Sequence, residues 1–517
     1  MLNGWNELEP YSRLVNTEGI EPRAYQINIA KSIYNGGNTL VVLPTGLGKT
    51  FIAVLAIAYV LHHAKKAIFL APTKPLSEQH YNTMLKLLNI DPKLVLLLTG
   101  SLPHSKRLEL EQQAKVIIGT PQTVANDLKK ATLSLEETGI VIFDECHKAV
   151  GKYAYTYIAN ECKLRGVQMI GLTASPGSDR KKINTLVETL GISNIEIRIS
   201  TDYDVAPYVM KKDTNIVYIE KSRTIEEIGS LLKPVIDEHL QALYNTGLSR
   251  FKNFENMPKG RLLEIGDYIS KLEARNYRFM AIYHYSYVLH LAHAYDLITT
   301  EGISPFMAYM RSLDEKATKS KNIKGILANS AVSTARHIAA NAETTGEEHP
   351  KMTMLANLLG NEFRDQNVIV FAQYRSTIKK IVEVLLNNGI TAHAFVGKKY
   401  GVTQAQQQSI IEDFRKSKFR VLVTTSIGEE GLDIPAVDMV IFYEPIPSEI
   451  RNIQRKGRAG RLKYGRVVIL VTLGTRDEAY LMISRIREKR MYDNVVKIKE
   501  HLLLGHAGKV EKQQKLG

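Results

Sequence analysis

The feature that most constrains this chain is a texture that occurs twice: short, largely apolar runs separated by stretches long enough for a helix. The first set is TLVVL (39–43), AIFLA (67–71), LVLLL (94–98), KVIIG (115–119), GIVIF (139–143) and MIGLT (169–173). The second is NVIVFA (367–372), TAHAF (391–395), RVLVTT (420–425), MVIFY (439–443) and VVILVT (467–472). Each run has strand length, and strands apolar on both sides belong to a parallel sheet covered by helices on both faces. At 517 residues the chain is also too long for one hydrophobic core. Two α/β lobes are the expectation. Between them, residues 221–340 lack such runs and show helical periodicity, as in YISKLEARNYRFMAIYHYSYVLHLAHAYDLI, which predicts an inserted helical domain. The polar segment NAETTGEEHP (341–350) is expected to be the linker into the second sheet. The boundaries expected are a first lobe over 1–205, an insert over 206–345, a second lobe over 346–480 and a basic C-terminal helix and tail over 481–517.

Two glycine-rich and acidic segments give the first half its chemistry. After TLVVL comes Pro44-Thr45-Gly46-Leu47-Gly48-Lys49-Thr50, followed by the apolar stretch FIAVLAIAYVL. A strand, a glycine turn, Lys-Thr and a helix start suit phosphate binding. The N–H groups of the turn and the positive helix end face the anion, Lys49 reaches the outer phosphates, and the Thr50 hydroxyl ligates Mg²⁺. The full GxxxxGK[ST] pattern is not met, because Leu43 stands where the first Gly would be. About 95 residues on, GIVIF ends in Asp144-Glu145-Cys146-His147. Carboxylates at the carboxyl end of a parallel strand lie at the crevice where such sheets bind ligands. Asp144 is expected to hold Mg²⁺ and Glu145 to orient or deprotonate the attacking water. An acidic pair after a strand can also simply cap the next helix, but a phosphate loop in the same sheet favours chemistry.

Charge raises a second question. The net charge is +15, and from Arg451 onward 17 basic residues face 6 acidic ones. That imbalance suits a polyanion such as nucleic acid, or a solubilising surface. The insert is nearly balanced, with 16 basic and 12 acidic residues over 221–340. The longest apolar run, Phe51 to Leu61, is about half the ~20 residues a membrane span needs. The N-terminus shows no secretory signal, and two cysteines argue for a reducing, intracellular setting. The histidines have no ligand-spaced partners, so no structural zinc is expected.

In order along the chain stand PTGLGKT (44–50), APTKPL (71–76), GTPQT (119–123), DECH (144–147), TAS (173–175), FAQYRST (371–377), TTSIGEEGLDIP (424–435) and QRKGRAGR (454–461). This ordered set resembles the superfamily 2 helicases, and the resemblance covers nearly all of the chain outside the insert and the tail. It implies two RecA-like lobes with ATP and Mg²⁺ between them. By the same resemblance Gln26, in RAYQ, corresponds to an adenine-reading Gln, and Thr45, Gly46, Leu47 and Gly48 to the cradle of the phosphates. Gly431 and Asp433 line the nucleotide from the second lobe, Gln454 reports its state, and Arg458 and Arg461 match arginine fingers. Thr73, Thr120, Gln122, Arg375, Thr425 and Ser426 match strand-contacting positions, which hold phosphate and sugar rather than read sequence. His147, Thr173 and Ser175 match the link between the ATP site and the strand track.

The wording FDECHKAVGKYAYTYIA, GLTASPG and FVGKK, with a helical insert, is most similar to the archaeal Hef helicase and its Fanconi anaemia M-type relatives. That resemblance implies a 3′ to 5′ motor on forked or branched DNA in repair or stalled-fork processing, with the insert as a thumb-like duplex grip. It implies work at the nucleoid of a prokaryote or in a nucleus, with a nuclease domain or replication clamp as candidate partners. Cys146 departs from the family's usual Ala, and DECH also occurs in RNA-sensing and Dicer-type helicases, so a duplex-RNA-dependent ATPase is the alternative. An inactive nucleic-acid-binding scaffold is a further alternative, opposed by the intact Lys49, Asp144, Glu145, Arg458 and Arg461. EKRMYD (488–493) has the wrong order and spacing for a nuclease signature and reads as a basic helix, and GHAGKVEKQQKLG reads as a flexible end.

Overall fold

The computed structural model describes residues 5–514 apart from 101–103, 152, 200, 209–212, 274, 397–402, 426–436 and 446–465. All eleven apolar runs form strands. The first sheet holds β1 (Thr39–Val42), β2 (Lys66–Leu70), β3 (Val95–Leu98), β4 (Val116–Gly119), β5 (Thr138–Asp144), β6 (Gln168–Thr173) and β7 (Asn194–Ile197). Its order is β3-β4-β2-β5-β6-β1-β7, and every pairing is parallel. One face carries the helices Ala24–Tyr34, Lys49–His62 and Lys74–Leu87, and the other carries Ala154–Arg165 and Arg180–Leu190. Lys49–His62 is apolar all round and is sunk into the core, from Ile52 through Ala58.

The second sheet contains β8 (Asp213–Ile219), β9 (Val368–Phe371), β10 (Ala392–Phe395), β11 (Val421–Thr424), β12 (Met439–Phe442) and β13 (Arg466–Thr472) in the order β10-β11-β9-β12-β13-β8, again parallel. β8 revises the expected boundary at 206. It falls inside the expected insert, yet it pairs with β13 from Asp213↔Arg466 to Ile219↔Thr472 and closes the edge of the second sheet. The helical part of the insert runs instead from Arg223 to Thr344, with its own core around Ile236, Leu291, Phe306 and Met310.

The expected linker 341–350 is also different in character. Its first residues finish the helix Ser330–Thr344, and the rest is bonded rather than free. Glu347 accepts from Ser222 Oγ and Thr224 Oγ1, both at 3.0 Å, Glu348 pairs with Ser304 and Lys380, and His349 is fully buried. The expected flexible end is helical: one helix, Arg476–Gln514, leaves β13 and reaches the first lobe, where Val495 and Ile498 join the core. Among the described residues no helix is long and apolar enough to cross a membrane.

Candidate active site

β6 lies between β1 and β5, so residues about 95 and 125 positions from the glycine turn meet it at one sheet edge. The turn itself requires its glycines. Gly46 and Gly48 have φ of 85° and 77°, and a Cβ on Gly48 would lie 2.5 Å from Gln26 Nε2. Gly46 is exposed just before the start of Lys49–His62, and the first N–H groups of a helix lack partners within it, which suits a helix N-terminus to receive phosphate. Thr45 and Thr50 are half-buried beside it, and Leu47 is buried as the anchor. Lys49 Nζ donates to its own loop at Leu43 O, 2.9 Å away. Burial pulls the Lys49 ammonium below its ordinary range, and Glu145 and Asp144 oppose that pull.

Asp144 closes β5. Burial alone would push its carboxyl up, but the hydrogen bond and field of His80 and the Lys49 charge outweigh it and hold the group below its usual value. His80 Nε2 is 3.1 Å from Asp144 Oδ2. A carboxylate kept anionic at the strand end is the hard oxygen donor that Mg²⁺ prefers, so Asp144 fits that ion. Glu145 adopts a left-handed backbone, φ 49°, which costs a non-glycine residue on the order of 1–3 kcal/mol. Its Oε2 lies 3.3 Å from His147 Nδ1, which is 3.2 Å from Thr173 Oγ1. Thr173 Oγ1 then accepts from the Ser175 N–H at 3.1 Å. His147, Thr173 and Ser175 thus lie along one continuous chain of contacts from Glu145. Cys146, the departure from the usual Ala, packs against β6 at Gly171 and has its thiol pushed well up by burial, which leaves it inert.

Gln26, expected to read the base, makes two hydrogen bonds within the protein. It is buried, its Oε1 accepts from Arg23 N at 3.0 Å, and its Nε2 donates to Leu47 O at 3.2 Å. One end of the amide therefore caps its own helix and the other holds the phosphate loop. Three supporting residues carried no sequence signal. Tyr25 donates to Leu47 O at 2.7 Å, His80 orients Asp144, and the Tyr155 hydroxyl reaches Asp144 O at 2.7 Å and Leu70 O at 3.2 Å. His80 is 64 positions from its partner, on the helix Lys74–Leu87 that APTKPL opens.

The expected strand-contacting residues occupy carboxyl edges too. Thr73 and Thr120 precede the helices Lys74–Leu87 and Pro121–Lys129, and Gln122 is exposed on the first turn of the latter. Thr73 Oγ1 accepts from Leu76 N, and Thr120 shares a bond with Thr123. Arg375 is exposed after β9, and Thr425 is half-buried after the adjacent β11. Ser426, Gly431, Asp433, Gln454, Arg458 and Arg461 lie outside the described residues.

Comparison with known proteins agrees with this organisation. The DEAD/DEAH box helicase family matches residues 23–183, the helicase conserved C-terminal domain family matches 350–463, and a helical-bundle family named for ATP-dependent RNA helicases matches 224–346. A Methanocaldococcus jannaschii protein named as an ATP-dependent RNA helicase is 37% identical over 486 residues, covering 92% of this chain and 61% of that protein. The ATP-dependent DNA helicase mph1 of Neurospora crassa is 33% identical over 496 residues, covering 89% of this chain and 41% of that protein. The chain thus spans less than two-thirds of the curated relatives it matches. The crystal structure of the Pyrococcus furiosus Hef helicase domain superposes with a TM-score of 0.74 at 40% identity, covering 91% of this chain and all of that one. With two parallel-sheet lobes, a helical bundle between them and this level of identity over a whole solved domain, the chain belongs to the superfamily 2 helicases, in the family of the Hef helicase domain.

Proposed function

We propose that this chain is an ATP-driven motor that moves 3′ to 5′ on DNA and remodels forked or branched structures in repair or stalled-fork processing. The observation that carries the proposal is the meeting of a glycine turn, Lys49, Asp144 and Glu145 at one carboxyl edge, with an unbroken chain of contacts from Glu145 through His147 and Thr173 to Ser175. A site that only bound nucleotide would not need that chain.

ATP is the substrate in this reading, seated on the N–H groups of Thr45 to Thr50. Lys49 exchanges the Leu43 carbonyl for the outer phosphates, and Thr50 with Asp144 would hold Mg²⁺, which would supply positive charge against the phosphates. Glu145 orients the attacking water and takes its proton. Gln26 keeps the loop in place and reads adenine only by giving up one of its two present bonds. Gln454, Arg458 and Arg461 complete the site from the second lobe, with Gly431 and Asp433 lining it. Thr73, Thr120 and Gln122 hold one stretch of strand and Arg375, Thr425 and Ser426 the next, while the insert grips duplex. The nucleoid, or a nucleus, is where such work is done, and a nuclease domain or replication clamp would be a suitable partner.

DNA is favoured by the names of the fungal relatives, which include the ATP-dependent DNA helicase fml1 of Schizosaccharomyces pombe, 28% identical over 501 residues. The name of the archaeal relative and of the helical-bundle family favours the second reading, a duplex-RNA-dependent ATPase. Steady-state ATP turnover with no nucleic acid, single-stranded DNA, forked DNA and duplex RNA separates the two. Forked DNA is expected to stimulate most, with stimulation falling steeply as salt rises. Stronger stimulation by duplex RNA overturns the substrate assignment, and no stimulation by any of them overturns the motor reading.

A further inference from the structure

The helix Arg476–Gln514 is rooted in one lobe and buried in the other. At its base, Asp477 accepts from Thr472 N at 3.0 Å and forms a buried ion pair with Lys351, while Arg476 reaches Asp296 of the insert at 2.8 Å. Fifteen residues further on, a distance of about 22 Å along a helix, the same helix meets the first lobe at TASPG. Met491 is fully buried against Ala174, and Ser175 Oγ donates to Met491 Sδ at 2.8 Å. Asn494 Nδ2 donates to Ser178 O at 2.9 Å, and Val495 and Ile498 join the first lobe's core. Ser175 is itself 2% exposed and is the last member of the chain that starts at Glu145. So the contacts that leave the hydrolytic carboxylate end on a side chain belonging to a helix anchored in the opposite lobe.

We propose that this helix is a strut that transmits nucleotide state between the lobes, with Met491 as the positioning residue that receives it from Ser175. Any rotation of the second lobe turns the strut about its docked segment and shifts Met491 against Ser175. Any change at Glu145 travels to Met491 in the reverse direction. A thioether suits this place. It is a weak hydrogen-bond acceptor on a flexible, unbranched side chain, so it follows a moving hydroxyl without leaving a void. A purely structural docking would need only the apolar contacts of Val495 and Ile498. The buried hydroxyl-to-sulfur bond is what ties the strut to the ATP site in particular.

The proposal rests on the ATP-driven reading above but not on the choice between DNA and RNA. Its test is a double-mutant cycle read as strands displaced per ATP hydrolysed, on whichever nucleic acid stimulates the wild type. M491L conserves volume and is expected to fold. It leaves the Ser175 hydroxyl buried without its acceptor, and the ratio is expected to fall by about threefold, the loss of one neutral hydrogen bond. ATP turnover without nucleic acid is expected to stay near the wild-type rate. On an S175A background the same M491L change is expected to cost nothing further, because no hydroxyl needs the sulfur. Equal losses in both backgrounds, or no loss in either, would overturn the role of Met491. A wild type that nucleic acid does not stimulate would instead remove the motor reading itself, so the two failures are distinguishable.

Discussion

The molecule builds two buried clusters from almost the same residue types, each at the carboxyl edge of a parallel sheet. The first holds Lys49, Asp144, Glu145, His80 and His147. The second holds Lys351, Asp477, Glu301 and His349, with Arg476 and Asp296 at its rim, where the insert meets the second lobe. In the second cluster the named groups answer one another. Lys351 bonds Asp477 and Thr300 O, Glu301 accepts from Thr377 at 2.8 Å, and His349 bridges Thr299 O and the Lys351 N–H. In the first, Lys49 is parked on the carbonyl of its own loop, and a cradle of glycines opens beside it. The lesson is that composition does not separate chemistry from structure. What separates them is whether the lysine is bonded to a carboxylate, as Lys351 is to Asp477, or to a carbonyl of a glycine turn, as Lys49 is to Leu43.

The comparison is broken most directly by removing each lysine. K49A is expected to lower ATP turnover by at least about 10²-fold, the scale for losing a preorganised charge at a developing oxyanion. It should cost no stability, because burial already works against the Lys49 charge in the folded state. K351M is expected to do the reverse. It leaves Asp477 buried and unpaired, which costs about 3–5 kcal/mol and should show as a lowered urea midpoint. A K49A chain that unfolds easily, or a K351M chain that keeps its midpoint, would erase the distinction.

His80 sharpens it further. H80Q removes part of what holds Asp144 anionic, so the acid limb of the pH–rate profile is expected to move to higher pH. Half-maximal turnover should then need about tenfold more Mg²⁺, the usual cost of losing a residue that orients a metal ligand. An unchanged metal requirement would mean that His80 only packs.

The smallest effect belongs to the second cluster and has a definite sign. Burial lowers His349 to about 3 from an ordinary value near 6.5, so stability is lost as pH falls below 6.5 and the unfolded chain takes up the proton. Burial raises Glu301 to about 7 from 4.5, so stability is gained as pH falls through 7 towards 4.5. The two oppose each other over most of that window. E301Q removes the compensation, and its melting temperature relative to wild type should therefore fall between pH 7 and pH 4.5. A constant difference across that range would contradict the assignment.

Much of this was legible in the sequence, for reasons that are local. The eleven continuous runs became strands because burial on both faces makes each strand apolar without interruption. β7 and β8 escaped notice because neither is a continuous apolar run. NIEI and DTNIVYI mix polar and apolar residues, and Tyr218 is half exposed. The glycine turn and the Asp-Glu pair were readable because each motif is contiguous. His80, Tyr25 and Tyr155 were not, since nothing in a single His or Tyr tells which buried oxygen it will meet. The segment 341–350 misled through composition: Glu347, Glu348 and His349 look like a solvated linker, yet they bond Ser222, Ser304 and Thr299. Lys351 and Asp477 are 126 positions apart, so their pairing is a property of the fold alone.

The central claim is that ATP hydrolysed at Glu145 drives movement on DNA. Its most direct test is the displacement of a labelled strand from forked DNA at saturating ATP, by the wild type and by E145Q, with fork binding measured alongside. The account predicts that both bind the fork, that the wild type displaces the strand, and that E145Q does so at least about 10²-fold more slowly. Displacement by E145Q at the wild-type rate would contradict it.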